Sequence, residues 1–188
     1  MTTLAPTLST RLLPNVSARL RDVLLVLAGS LLMALCAQIV IPLQPVPITG
    51  QTFGVLLVGA ALGSKRGVAA MLAYMAEGAL GLPFFAGGAS GFGILTGTTA
   101  GYLVGFIVAA FVIGLLAERG LERSIRTSLV PFLIGTVIIY VFGVSWLGFV
   151  LGNLNQAITL GLLPFLLGDA IKLAAAALVL PAAWKFVR

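Results

Sequence analysis

Ten of the eleven lysines and arginines in this 188-residue chain fall outside six long apolar stretches, and they do so in alternate gaps. Arg11, Arg19 and Arg21 precede the first stretch, Lys65 and Arg66 fill the second gap, Arg119, Arg123 and Arg126 the fourth, and Lys185 and Arg188 follow the last. The first, third and fifth gaps carry no charge. This alternation is the positive-inside pattern of a polytopic membrane protein, with both ends and the basic loops in the cytoplasm. Six spans of roughly 20 residues leave little beyond short connections. The expected fold is an all-α membrane protein: a six-transmembrane-helix bundle, N- and C-termini cytoplasmic, with loops between helices closing an extracellular-side pocket.

Residues 1–22 read as a cytoplasmic N-terminal tail, and 23–188 as a single six-helix transmembrane domain. The expected spans are 23–41, 53–63, 67–80, 101–117, 129–150 and 164–183. The second is short for a crossing and is expected to be surrounded by protein rather than lipid. The net charge of +6 is explained by topology, so no nucleic-acid partner is expected. Histidine is absent and Cys36 is the single cysteine, which excludes disulfides, a Cys/His metal centre and a histidine base. No Walker A phosphate loop is present, and no cofactor is expected.

The eleventh basic residue, Lys172, stands inside the last apolar stretch, three residues after Asp169. Charges at membrane depth are costly and point to function. Spaced i, i+3 on a helix, the two share a face, either as a structural ion pair or as donors and acceptors for a polar ligand. Asp169 lies about 7 Å into the span from Pro164 at 1.5 Å per residue. Glu77 is expected at similar depth, either in the same polar centre or paired away from any ligand. The uncharged segment Phe85–Gly91 is rich in glycine. Its amides, those of Gly87 and Gly88 among them, are expected either to form an anion-binding concavity or to serve a tight reversal. Phe85 and Tyr102 are expected either to pack on an apolar ligand body or to serve plain packing within the bundle. Ser30 and Ala34 form a small-xxx-small face on the first span, as do Gly101 and Gly105 on the fourth; such faces pack within a bundle or dock a partner helix.

The segments Val46–Thr52, Gly78–Gly88, Gly97–Tyr102 and Gly168–Lys172 together resemble the BioY family, the substrate-binding S components of biotin transporters of the energy-coupling-factor class. The resemblance runs from the first span to the last. It implies a non-enzymatic protein of a bacterial plasma membrane that captures biotin from outside. Its implied partners are a transmembrane coupling protein (the T component) and ATPase subunits, which would supply the nucleotide chemistry this chain lacks. It implies that Asp169 and Lys172 contact the biotin head, with Gln51 counted among the ligand residues. It also implies that the first helix docks the coupling protein through a small-residue face, here Ser30 and Ala34.

An S component for another vitamin and an intramembrane enzyme remain the competing readings; the second lacks gathered nucleophiles or metal ligands. The topology is directly testable. A cysteine at position 65, in a variant lacking Cys36, should resist membrane-impermeant maleimide in intact cells and react in inverted vesicles. Labelling from outside would overturn the topology.

Overall fold

The computed structural model describes residues 16–187. Arg11, Arg188 and most of the expected tail lie outside the described residues. Seven α-helices follow one another among the described residues: α1 (Ala18–Gln38), α2 (Gln51–Leu62), α3 (Ser64–Ala79), α4 (Ala100–Ala117), α5 (Ile125–Leu151), α6 (Leu154–Gly161) and α7 (Leu166–Val187). Four segments are long and apolar enough to cross a membrane: Ala18–Gln38, Ala100–Ala117, Ile125–Leu151 and Leu154–Lys185, the last joining α6 to α7.

Helix α2 is the hub. It has 12 residues, roughly 18 Å at 1.5 Å per residue. It touches α1, α3, α4, α5 and α7, as expected of a short span enclosed by protein. Gly63, at φ +83°, turns the chain from α2 into α3, a conformation in which a side chain is strained. Helix α4 crosses that corner closely: a Cβ on Gly114 would lie 2.3 Å from the Ser64 nitrogen. Glu118 then accepts hydrogen bonds from both the Ser64 backbone N–H and hydroxyl, each at 2.8 Å. This carboxylate sits where the positive end of α3 favours it.

The uncharged connections are more structured than a sequence reading allows. The proline-containing connection between α1 and α2 is a small antiparallel hairpin of β1 (Val40–Ile41) and β2 (Ile48–Thr49). The segment 151–163, expected as a loop, contains α6. Asn153 caps it by accepting from the Gln156 N–H at 3.1 Å, the bond an N-cap residue makes with the third position of its helix.

The small-residue faces are consumed inside the chain. Ser30 and Ala34 are buried, and the Ser30 hydroxyl donates to the Leu27 carbonyl at 3.0 Å. Beside them, a Cβ on Gly29 would meet Ala70 of α3 at 2.8 Å. The stripe expected to dock a partner therefore lets α1 approach α3. Leu24, Leu27, Leu31 and Leu35 form the outward face of α1. Likewise Gly101 and Gly105 seat α4 on Trp146, Phe142 and Ile139 of α5.

At the basic end, Glu122 is fully buried in the turn between α4 and α5. Burial pushes its carboxyl above the usual carboxylate range, opposed by the Arg123 guanidinium 3.8 Å away. That guanidinium lies over the Trp184 ring, 4.8 Å from its centre. With a raised native pKa, the folded chain keeps a proton that the unfolded chain has released, so stability falls as pH rises above the ordinary carboxylate value. Glu122→Gln should therefore raise the melting temperature at pH 8, with the gain shrinking toward pH 5. An equal difference at both pH values would contradict this.

Candidate functional site

At the end of the bundle away from Arg66, Arg123 and Lys185, a cavity of about 60 Å³ lies between α2, α4, α5 and α7, under the hairpin and the loop between α3 and α4. Its walls are mostly apolar, including Leu103, Phe106, Ile139 and Phe165. One polar cluster interrupts them.

Asp169 is in the first turn of α7 and is 4% exposed. Lys172, one turn on, donates to its Oδ1 at 2.7 Å. Thr52, in the first turn of α2, donates to the same oxygen at 2.9 Å and accepts from Lys172 Nζ at 3.1 Å. Tyr140 of α5 donates its hydroxyl to Oδ2. The carboxylate thus stands near the N-termini of two helices, where anions are favoured, and carries charge-assisted hydrogen bonds from three helices. A buried ion pair recovers its desolvation cost only when such additional bonds are made.

The other site residues are held by their own scaffolding. Gln51 donates to the Tyr74 hydroxyl at 2.7 Å and accepts from the Thr49 hydroxyl at 2.9 Å, so its amide is held in the wall. Phe85 packs edge-on to Tyr74, ring centres 5.6 Å apart. Gly78 makes that possible, because a Cβ there would lie 2.6 Å from the Phe85 ring. Tyr102 is stacked on Phe165 at 6.5 Å and donates to the Gly161 carbonyl at 2.7 Å. Gly143 and Gly161 leave room for it: Cβ atoms there would sit 2.3 Å and 2.4 Å from the tyrosine.

Of the residues singled out from sequence, the structure gathers Asp169, Lys172, Gln51, Phe85 and Tyr102 around one cavity. Glu77, Gly87 and Gly88 are not among its lining residues. Glu77 does not join the ion pair; one of its carboxylate oxygens is buried without a hydrogen-bond partner. Helical rise estimates depth, but the direction a side chain takes around the axis decides the neighbour. Gly87 and Gly88 have φ of +64° and +80°, and four of the loop's amides are spent internally. Phe85 N–H donates to Ala89, Gly88 to Phe85, Ala89 to Ala86 and Gly91 to Gly78. The positive φ of both glycines serves the reversal. Gln38 of α1 pins this loop, donating to the Pro83 and Phe85 carbonyls at 3.3 and 3.4 Å.

Thr52 and Tyr140 are the residues that sequence reasoning missed. Tyr140 had a signal: a phenol within an apolar span needs a hydrogen-bond partner. Removing one member of the cluster should cost more than removing the charge pair together. Asp169→Asn should destabilise the protein by about 3 kcal/mol, because Lys172 is left charged and half-paired. Asp169→Asn with Lys172→Met should recover much of the loss in a thermal melt. A double variant less stable than the single would show that the charges do not compensate one another.

A family model described as the BioY family matches residues 8–188. A biotin transporter BioY of Thermotoga maritima is 47% identical over 143 residues, 76% of this chain and 83% of the relative. One of Rhodobacter capsulatus is 42% identical over 173 residues, 85% of this chain and 90% of the relative. A probable biotin transporter BioY of Pyrococcus horikoshii is 39% identical, covering 85% and 93%. Among solved structures, the S-component for biotin from an ECF-type ABC transporter superposes with a TM-score of 0.80 at 25% identity, covering 89% of this chain and 92% of that one.

Proposed function

The chain belongs to the BioY family, and from that premise we propose that it captures biotin as the substrate-binding S component of an ECF-type transporter. It is a membrane protein and a transporter subunit, not an enzyme. The observation that carries the chemistry is the Asp169–Lys172 pair, held by Thr52 and Tyr140 at the wall of an apolar cavity.

The cluster's spare valences match a urea. A carboxylate offers about four lone-pair sites, and Asp169 accepts from Lys172, Thr52 and Tyr140. About one acceptor direction remains for a ureido N–H. An ammonium has three N–H groups, and Lys172 spends two, on Asp169 and Thr52. The third is available to a ureido oxygen. A neighbouring acceptor and donor therefore meet an adjacent N–H and C=O, with charge-assisted bonds strengthened by the dry surroundings. Leu103, Phe106, Ile139 and Phe165 supply apolar contact for the fused thioether ring and its chain. Gln51, Phe85 and Tyr102 complete the wall.

In this reading α1, α2, α3, α4, α5 and α7 are the six membrane helices of one domain, preceded by a cytoplasmic tail at 1–22. The basic end faces the cytoplasm of a bacterial plasma membrane, as the distribution of Lys and Arg requires. The cavity opens outward beneath the hairpin and the loop between α3 and α4. Uptake against a gradient needs a T component and ATPase subunits, because the chain has no nucleotide-binding motif. The outward leucines of α1 replace Ser30 and Ala34 as the surface offered to another membrane helix.

Calorimetry of the purified protein should show saturable one-to-one biotin binding without ATPase subunits. Lys172→Ala and Asp169→Asn should each weaken it tenfold or more, about 1.4 kcal/mol. Undiminished binding by both folded variants would make the pair structural only.

A further inference from the structure

Resting on the biotin reading above, we propose that the site recognises the ureido head and is indifferent to the charge on the ligand's tail, so that a neutral amide of biotin binds at least as well as the acid. Among the described residues lining the cavity, the ammonium of Lys172 and the carboxylate of Asp169 are the only formally charged groups, and they neutralise each other at 2.7 Å. Lys172 is also held by Thr52, so its remaining N–H serves the head bound beside it. The rest of the lining includes Val46, Pro47, Ala86 and Ile94, with Thr49 and Thr99.

Neither hydroxyl belongs to an anion cradle. Thr49 donates to the Gln51 carbonyl oxygen. Behind Thr99, the first turn of α4 spends its amides: Ala100 N–H donates to the Gly97 carbonyl, and Tyr102 and Leu103 donate to that of Thr99. Gly101 is packed against Trp146, whose Cβ would be 2.3 Å from a Cβ placed on it. The nearest described basic residues along the elements that build the site are distant. Arg66 precedes Tyr74 on α3 by about 12 Å, and Lys185 follows Lys172 on α7 by about 20 Å, at 1.5 Å per residue.

Two placements of the tail are open, and they agree on the outcome. A carboxylate at the mouth keeps its water, and exchanging it for an amide changes little. A carboxylate pressed into the neutral wall loses hydration with no charge to compensate, which penalises the anion. The acid is preferred in neither case.

The test compares biotin with biotin primary amide by isothermal titration of the purified full chain in detergent. The amide should bind within threefold of the acid or more tightly. An amide more than tenfold weaker would overturn the proposal, since a group that recognises the carboxylate must then exist. Failure of both ligands to bind would instead sink the biotin reading itself, and the proposal with it.

Discussion

A carboxylate and an ammonium 2.7 Å apart, 4% and about a fifth exposed, are the constraint around which this bundle is arranged. Bare, such a pair would cost more in lost hydration than its attraction returns. The remedy is convergence: α7 brings both charges, α2 brings Thr52 at its first turn, and α5 brings Tyr140. Each hydroxyl is useful only if its helix arrives at the right height and rotation. The polar cluster therefore ties the relative register of three helices together.

The shape of the cavity follows from a second device, aromatic rings seated on glycines. Gly78 receives Phe85, while Gly143 and Gly161 receive Tyr102. In each case a methyl group would occupy the volume of the ring, so overpacking would displace the wall of the site rather than a remote core residue. The rings are held at their other edges by Tyr74 and Phe165. The cavity wall is thereby closely packed although much of it belongs to connecting segments.

Much of this was legible in the sequence, and the failures have physical reasons. The ion pair stood out because charge inside an apolar run is rare, and the i, i+3 spacing placed both groups on one face. The shortness of α2 was equally plain. Thr52 and Tyr140 were hidden because their partner lies 117 and 29 residues away, a separation no local pattern encodes. Glu77 was misplaced because depth was inferred without azimuth. Ser30 and Ala34 were offered to a partner because a stripe of small residues says that a helix comes close, not whose helix it is. The α6 helix was concealed by polar residues, one of which, Asn153, proved to be its cap.

Helix α2 is too short to cross the roughly 30 Å hydrocarbon layer unaided, yet it carries Gln51 and Thr52 and touches every long helix. A segment of this kind has little reason to stay in lipid when it leaves the ribosome. It is retained by neighbours, four of which, α3, α4, α5 and α7, are synthesised later. The order of synthesis then matters: the cavity between α2, α4, α5 and α7 cannot be complete until α7, the last helix, is in place.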